Sequence, residues 1–303
     1  MFSLGFFVFA LAAAATPASG PQATLSPVQI PAYEDVPNAK LYASAEEYGS
    51  AKGDPDFALM RLRYLSDGLN VSAYVYRPKT VIQPLPVIIF NRGSWTWPGF
   101  AGELLTMAHR LALSGYVVVA PLYRGSGGDP GRDEMGGKDV DDLLNLLPAI
   151  RGLNFADSDQ VYLYGESRGG MMVYQALREG FPAKAAAVVG AFTDLGQLLD
   201  DPQWAGVSKT IWPDIGERGA EIIRRRSALE WADKIDVPIL ILHGSDDEAV
   251  PPRHAIELAE RLSKAGKKYQ LLIAADRDHT FSEAPAERDR LVLDWFERYR
   301  AEE

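Results

Sequence analysis

Gly165-Glu166-Ser167-Arg168-Gly169 sets one serine between two glycines, in a chain that holds four histidines and no cysteine. A serine hydroxyl is a weak nucleophile at neutral pH until a base takes its proton and a carboxylate orients that base. The lack of cysteine removes disulfides, thiolate metal sites, cysteine nucleophiles and lipid attachment to a thiol, so covalent chemistry falls to another residue. The G-x-S-x-G pattern suits a strand that turns straight into a helix. Such a turn strains the serine backbone, and flanking residues without a Cβ let it close. It also exposes the hydroxyl and sets a helix N-terminus beside developing negative charge.

The histidines separate by position. His109 lies inside a helical stretch, Met107 to Leu113, and reads as a helix-face residue. His254, in Pro251-Pro252-Arg253-His254-Ala255, opens a helix and is expected to be exposed. His243 follows a buried strand directly and is expected to shape the loop after it. His279 sits in the loop after the last strand, at the end of the sheet where a base must stand to reach Ser167, and is the expected base. The loop after Leu242 offers three carboxylates, Asp246, Asp247 and Glu248. With Asp247 the chain order becomes serine, aspartate, histidine, the order of α/β-hydrolases. One oxyanion donor is expected from the backbone N–H of Arg168 and the other from the loop Asn91-Arg92-Gly93-Ser94-Trp95. Ser94 is a reasonable second donor, with Gly93 and Trp95 as alternatives. Trp95 and Trp97, with Phe100, stand near that loop and are candidates for substrate contact or for plain packing.

Two further glycine-rich stretches do not fit phosphate chemistry. Tyr123-Arg124-Gly125-Ser126-Gly127-Gly128 begins like a dinucleotide fingerprint, but Pro130 stands where the third glycine belongs. Gly136-Gly137-Lys138-Asp139 lacks the leading glycine and the hydroxyl after lysine that a P-loop needs. No histidine pair has zinc-ligand spacing, so neither a metal nor another cofactor is expected.

The elements that must position these groups follow from short apolar runs. Val87-Ile88-Ile89-Phe90, Tyr116 to Ala120, Val161 to Tyr164, Ala187 to Gly190, Ile239 to Leu242 and Tyr269 to Ile273 are continuous rather than alternating, as in strands covered on both faces. Amphipathic stretches lie between them, among them Leu104 to Leu113, Val140 to Ile150 and Ala255 to Ala265. This alternation predicts a doubly wound, mostly parallel sheet with helices on both sides. Met60 to Leu65 and Val71 to Tyr76 alternate around Asp67-Gly68 and predict an antiparallel hairpin at one edge. The stretch 191–235 is too long for a simple crossover and reads as a small cap-like insertion or an elaborate surface loop.

Length and composition bound the rest. A chain of 303 residues with 47% hydrophobic content can bury one large core or two modest ones. A formal charge of −10 disfavours nucleic acid, because a phosphate-binding surface needs excess lysine and arginine. Residues 1–18 read as a signal peptide: the apolar run Leu4 to Ala15 is followed by small residues, with cleavage plausible after Ala18. That run falls short of the roughly 20 residues of a membrane-spanning helix, so export without stable membrane insertion is expected. Residues 19–55 are expected to be an N-terminal extension, extended and superficial from Gly20 to Asn38, with the catalytic domain over 56–303.

Gly165 to Gly170 resembles the G-x-S-x-G-G of the prolyl oligopeptidase family of serine peptidases. Gly115 to Pro121 with Tyr123 to Gly128 is similar to that family's G-Y-x-V-x-x-P-x-Y-R-G-S-x-G. His243 to Pro251 resembles its H-G-x-x-D-x-x-V-P. The resemblance runs from about Asp56 to the C-terminus. It implies an α/β-hydrolase fold, a triad of Ser167, Asp247 and His279, and an acyl-enzyme mechanism. The relatives' oxyanion loop, often His-Gly-Gly-Pro, is Asn91-Arg92-Gly93-Ser94 here. Peptidase members usually carry an N-terminal β-propeller, and the stretch before Met60 is expected to be too short for one. A serine peptidase acting on short peptides is the leading expectation and a carboxylesterase on small apolar esters the alternative. A non-catalytic binding protein on the same fold is the reading of another class.

Overall fold

The structure, a computed structural model, describes residues 23–36, 39–41, 43–94 and 102–300. The expected leader at 1–18 and the aromatic candidates Trp95, Trp97 and Phe100 lie outside the described residues. The described chain forms β1 (Thr24–Pro27), α1 (Ala45–Gly53), β2 (Phe57–Ser66), β3 (Leu69–Pro78), β4 (Leu85–Asn91), α2 (Gly102–Leu113) and β5 (Val117–Pro121). It continues through α3 (Asp139–Leu144), α4 (Leu146–Arg151), β6 (Ala156–Glu166), α5 (Arg168–Arg178) and β7 (Ala185–Val189). Then come α6 (Leu195–Leu199), α7 (Pro202–Ile211), α8 (Ile215–Arg226), β8 (Ile239–Gly244), α9 (Arg253–Lys264), β9 (Tyr269–Ala274) and α10 (Pro285–Glu297).

The strands make one sheet in the order β1-β2-β3-β5-β4-β6-β7-β8-β9. Strands β4 to β9 pair in parallel, while β1, β2 and β3 run antiparallel to their neighbours at one edge. This is the expected α/β-hydrolase arrangement. The hairpin turns on Asp67 and Gly68, both at positive φ (48° and 79°), as a tight two-residue connection requires. Every residue of β5, β7 and β8 is buried, which accounts for their unbroken apolarity. One core lies between the sheet and α3, α4, α5, α9 and the insertion; the other lies under α1, α2 and α10.

The structure departs from expectation in two places and gives detail in a third. The segment Gly20 to Asn38, read as an extended surface linker, contributes β1, an edge strand against β2, and the rest of the N-terminal extension contributes α1, whose Tyr48 and Ala51 are buried. A capping box between Ser44 and Glu47 starts that helix, a local signal that outweighs the polar composition around it. The helix expected over Val140 to Ile150 is broken into α3 and α4, because Pro148 has no N–H for the carbonyl four residues back and crowds it. The stretch 191–235 folds into α6, α7 and α8 and grips the loop after β5: Trp212 Nε1 donates to the Glu134 carbonyl at 2.9 Å, and Arg226 donates to the carbonyls of Met135 and Glu134. Among the described residues no helix is long and apolar enough to cross a membrane.

Candidate active site

Ser167 is the single residue between β6 and α5, with φ 52° and ψ −118°, a conformation that a side chain bearing Cβ seldom adopts. Its backbone N–H donates to the Val189 carbonyl at 2.8 Å, tying the turn to the end of β7. The glycines around it are required by close approach. A Cβ on Gly169 would overlap the Asn91 carbonyl and stand 2.8 Å from that of Arg92, and one on Gly165 would overlap the Gly169 carbonyl. The start of α5 therefore presses directly on the end of β4, which only glycine permits.

His279 and Asp247 meet at the same end of the sheet. His279 Nδ1 lies 2.8 Å from Asp247 Oδ2, and its ring rests against Gly190, where a Cβ would come within 2.9 Å of Nδ1. Val189 thus takes the Ser167 N–H while its neighbour Gly190 carries the His279 ring, so nucleophile candidate and base candidate are both placed at the tip of one strand. Of the three carboxylates in the β8–α9 loop, Asp247 alone is buried; Asp246 and Glu248 are exposed. Its Oδ1 accepts the N–H groups of Ala249 (3.0 Å) and Val250 (2.8 Å). Burial pushes the Asp247 carboxyl up, but hydrogen bonds from His243 and His279 and the Val250 N–H outweigh it and hold the group down at about 2.

The remaining histidines resolve as follows. His109 Nε2 pairs with Asp54 at 3.0 Å and its ring packs edge-on against Phe57 and Tyr76, a helix-face role as expected. His243, expected just after the strand, is corrected to a wholly buried residue within β8, paired with Ile273 of β9, with Nε2 2.7 Å from the Val250 carbonyl. The expected exposure of His254 is corrected: its ring is fully buried, and Nδ1 accepts from the Thr193 N–H at 3.3 Å. The insertion that follows β7 folds back over the first turn of α9, and nothing local in the sequence announces that cover.

Gly93 brings the expected oxyanion loop against the turn, since a Cβ there would stand 3.4 Å from the Ser167 Cβ. Ser94 has φ 59°, and its carbonyl accepts from Arg92 Nη1 at 2.9 Å and Arg168 Nη1 at 3.0 Å. Asp133 joins the two guanidinium groups, pairing with Arg168 through both oxygens at 2.7 Å and with Arg92 at 3.2 Å. Beneath them lies the Tyr123 ring, whose hydroxyl donates to Asn91 Oδ1 at 2.8 Å. Burial and the neighbouring Arg168 charge push Arg92 down to about 10, against the pull of Asp133. Arg168 reaches on to Asp139 at 2.8 Å, and Asp139 also accepts the N–H groups of Gly136 and Gly137. Those glycine N–H groups, part of the stretch compared above with a P-loop, hold a carboxylate of the chain itself.

Sequence reasoning missed Arg92, Asp133 and Asp139 as supports, and Glu166 with Arg288. Glu166, just before Ser167, is buried and pairs with Arg288 Nη1 at 2.8 Å. The same nitrogen donates to the Thr280 carbonyl at 3.0 Å, so one guanidinium joins the serine turn to the histidine loop. The only sequence signal was a charged residue at each x of G-x-S-x-G. Among the described residues no three histidine, aspartate or glutamate side chains gather as a metal site.

A family model described as the prolyl oligopeptidase family matches residues 104–303. The uncharacterized peptidase YtmA of Bacillus subtilis (strain 168) is 26% identical over 238 residues, which cover 77% of this chain and 90% of that protein. An acylaminoacyl peptidase solved with Z-Gly-Gly-Phe-chloromethyl ketone superposes with a TM-score of 0.67 at 23% identity. The match covers 82% of this chain and only 43% of that one. An acetyl xylan esterase from Paenibacillus sp. R4 superposes with a TM-score of 0.67 at 17% identity, covering 93% of this chain and 90% of the other. At these identities the two solved structures speak for the fold alone.

Proposed function

The chain belongs to the prolyl oligopeptidase family and is a serine hydrolase, and from that premise we propose that it is a peptidase on short peptides using Ser167, His279 and Asp247. The observation that carries this reading is the meeting of His279 with Asp247 at 2.8 Å beside Gly190, one residue beyond the carbonyl that holds the Ser167 N–H. Ser167 Oγ attacks the substrate carbonyl while His279 Nε2 takes its proton. Asp247 accepts from Nδ1, keeps the imidazole in the tautomer with Nε2 free, and stabilises the imidazolium. The N–H of Arg168, at the first turn of α5, and that of Ser94 receive the oxyanion. His279 returns the proton to the leaving group, and water then cleaves the acyl-enzyme by the same steps in reverse.

The Gly93 carbonyl, in the same peptide plane as the Ser94 N–H, accepts from Arg92 Nη1 at 3.2 Å, and this supports the role of Ser94 because it holds that plane before substrate arrives. Peptide cleavage is favoured by the likeness to YtmA, which spans most of both chains. An ester substrate is the second reading, because the same attack by Ser167 and the same acyl-enzyme would cleave an ester.

Labelling with a fluorophosphonate probe tests the chemistry. The wild type labels and Ser167→Ala does not; a folded wild type that stays unlabelled refutes the nucleophile assignment. Aminoacyl anilides set against short-chain nitrophenyl esters test the substrate, and hydrolysis of the esters alone refutes the peptidase reading.

A further inference from the structure

Asp247 has more donors around it than a triad requires. Its Oδ1 is occupied by the N–H groups of Ala249 and Val250. Oδ2 faces two imidazoles, His279 Nδ1 at 2.8 Å and His243 Nε2 at 3.0 Å. The other neighbour of His243 Nε2 is the Val250 carbonyl at 2.7 Å. A carbonyl and an ionised carboxylate only accept, so the nitrogen between them must carry the hydrogen. His243 Nδ1, on the far side of a fully buried ring, has no hydrogen-bond partner among the described residues. A proton placed there instead of on Nε2 would bury an unpaired donor and set the Nε2 lone pair against two acceptors.

We propose that His243 is a positioning residue for the triad: its Nε2–H, bonded to the Val250 carbonyl at 2.7 Å, also faces at 3.0 Å the Asp247 oxygen that receives His279 Nδ1–H, and so limits how tightly that oxygen holds the protonated base. The proposal rests on the reading of Ser167, Asp247 and His279 as the triad. Two donors share the electron density of one oxygen. Remove the His243 donor, and Oδ2 becomes a stronger acceptor for His279, which favours the imidazolium over the free base. The base is then protonated at a higher pH, so the acid limb of the activity profile moves up. Asp247 also loses one of the bonds that set its plane, which lowers the plateau.

The charged and titratable groups near this pair are few. His254 lies behind His243 on α9, flanked by Arg253, Asp194 and Glu257. Asp278, beside His279, is engaged by the N–H and hydroxyl of Ser282. Glu166 and Arg288 pair with each other below the loop. None of them approaches Oδ2 as His243 does.

The test is the rate of fluorophosphonate labelling against pH for the wild type, His243→Leu and His243→Gln. In His243→Leu the acid limb moves up by roughly half a pH unit. The plateau falls about tenfold, the size of one hydrogen bond to a charged group, and on a turned-over substrate the loss is in kcat rather than KM. His243→Gln, whose amide nitrogen can reach the Nε2 position, restores both. A purely structural role predicts loss of folded protein with an unmoved limb. An acid limb that stays in place, or moves down, in folded His243→Leu overturns the proposal. A wild type that does not label would overturn the triad reading with it, whereas a labelled wild type with an unmoved limb overturns this proposal alone. Should His243→Leu not fold, nitrogen NMR of histidine-labelled wild type decides: a proton on His243 Nε2 supports the proposal, and one on Nδ1 refutes it.

Discussion

His254 sits on the first turn of α9 with its ring wholly enclosed and Nδ1 accepting from Thr193. Burial, reinforced by the charge of Arg253, pushes it down to about 4 from its ordinary value of 6.5. The folded protein therefore keeps this imidazole neutral at pH values where the unfolded chain protonates it. Between about 6.5 and 4 the unfolded state binds the extra proton, so stability falls as pH falls through that window, by ~3 kcal/mol if the whole shift is expressed. His254→Asn keeps an acceptor for the Thr193 N–H and removes the titration. Urea unfolding of this variant is expected to show a flatter dependence on pH across that window, and an unchanged slope would refute the assignment. Asp247 behaves in the same sense at lower pH: its depressed value adds stability that is present above about 4 and is lost as pH falls toward 2. His254 also marks a limit of local reading. Its neighbours Pro252 and Arg253 suggest a surface helix start, and only Thr193, sixty-one residues away, supplies its partner.

At the scale of elements, the turn from β6 to α5 was readable because it is local. Apolar runs of different period meet at five residues, and the glycines are needed by atoms close by. The tie between that turn and α10 was not, because Glu166 and Arg288 are far apart in the chain and each resembles a surface charge. Both are almost fully buried, so truncating one leaves the other as an uncompensated ion. Arg288→Met is expected to cost about 3–5 kcal/mol in urea unfolding. Glu166→Gln combined with Arg288→Met should recover at least half of that loss, since no lone charge then remains inside. A double variant as unstable as the single one would show that the pair itself is not what the site depends on. Likewise the helix break at Asn145 follows from Pro148, and the continuous amphipathic stretch concealed it.

The whole molecule decides how the loop proposed to receive the oxyanion is held. Placing β5 beside β4 brings Tyr123 and the loop after β5 under Asn91 to Ser94, and the insertion then grips that loop from outside through Arg226 and Trp212. Burial pushes Arg226 down to about 10 even with Asp139 near, a sign of how far inside it lies. The chain of contacts runs from Arg226 to the Glu134 and Met135 carbonyls, through Asp133 to Arg168, and so to the Ser94 carbonyl. Arg226→Gln should raise amide exchange over residues 133–139 by roughly tenfold and lower kcat/KM without abolishing labelling of Ser167. Hydrogen-exchange mass spectrometry reads the first effect, and unchanged exchange there would sever the insertion from the site.

The sequence by itself determined the sheet, the hairpin, the serine turn and the residue types of the site, because short-range patterns of apolarity, glycine and chain order carry that information. It also narrowed the acid to a loop of three carboxylates. Only the tertiary structure decided that Asp247 is the buried one, that His243 faces its oxygen, and that Arg92 and Arg168, joined by Asp133, hold the Ser94 carbonyl. These depend on which strand lies beside which and on what each loop covers, and hydrogen bonds between distant segments leave no periodic mark on the residues that make them.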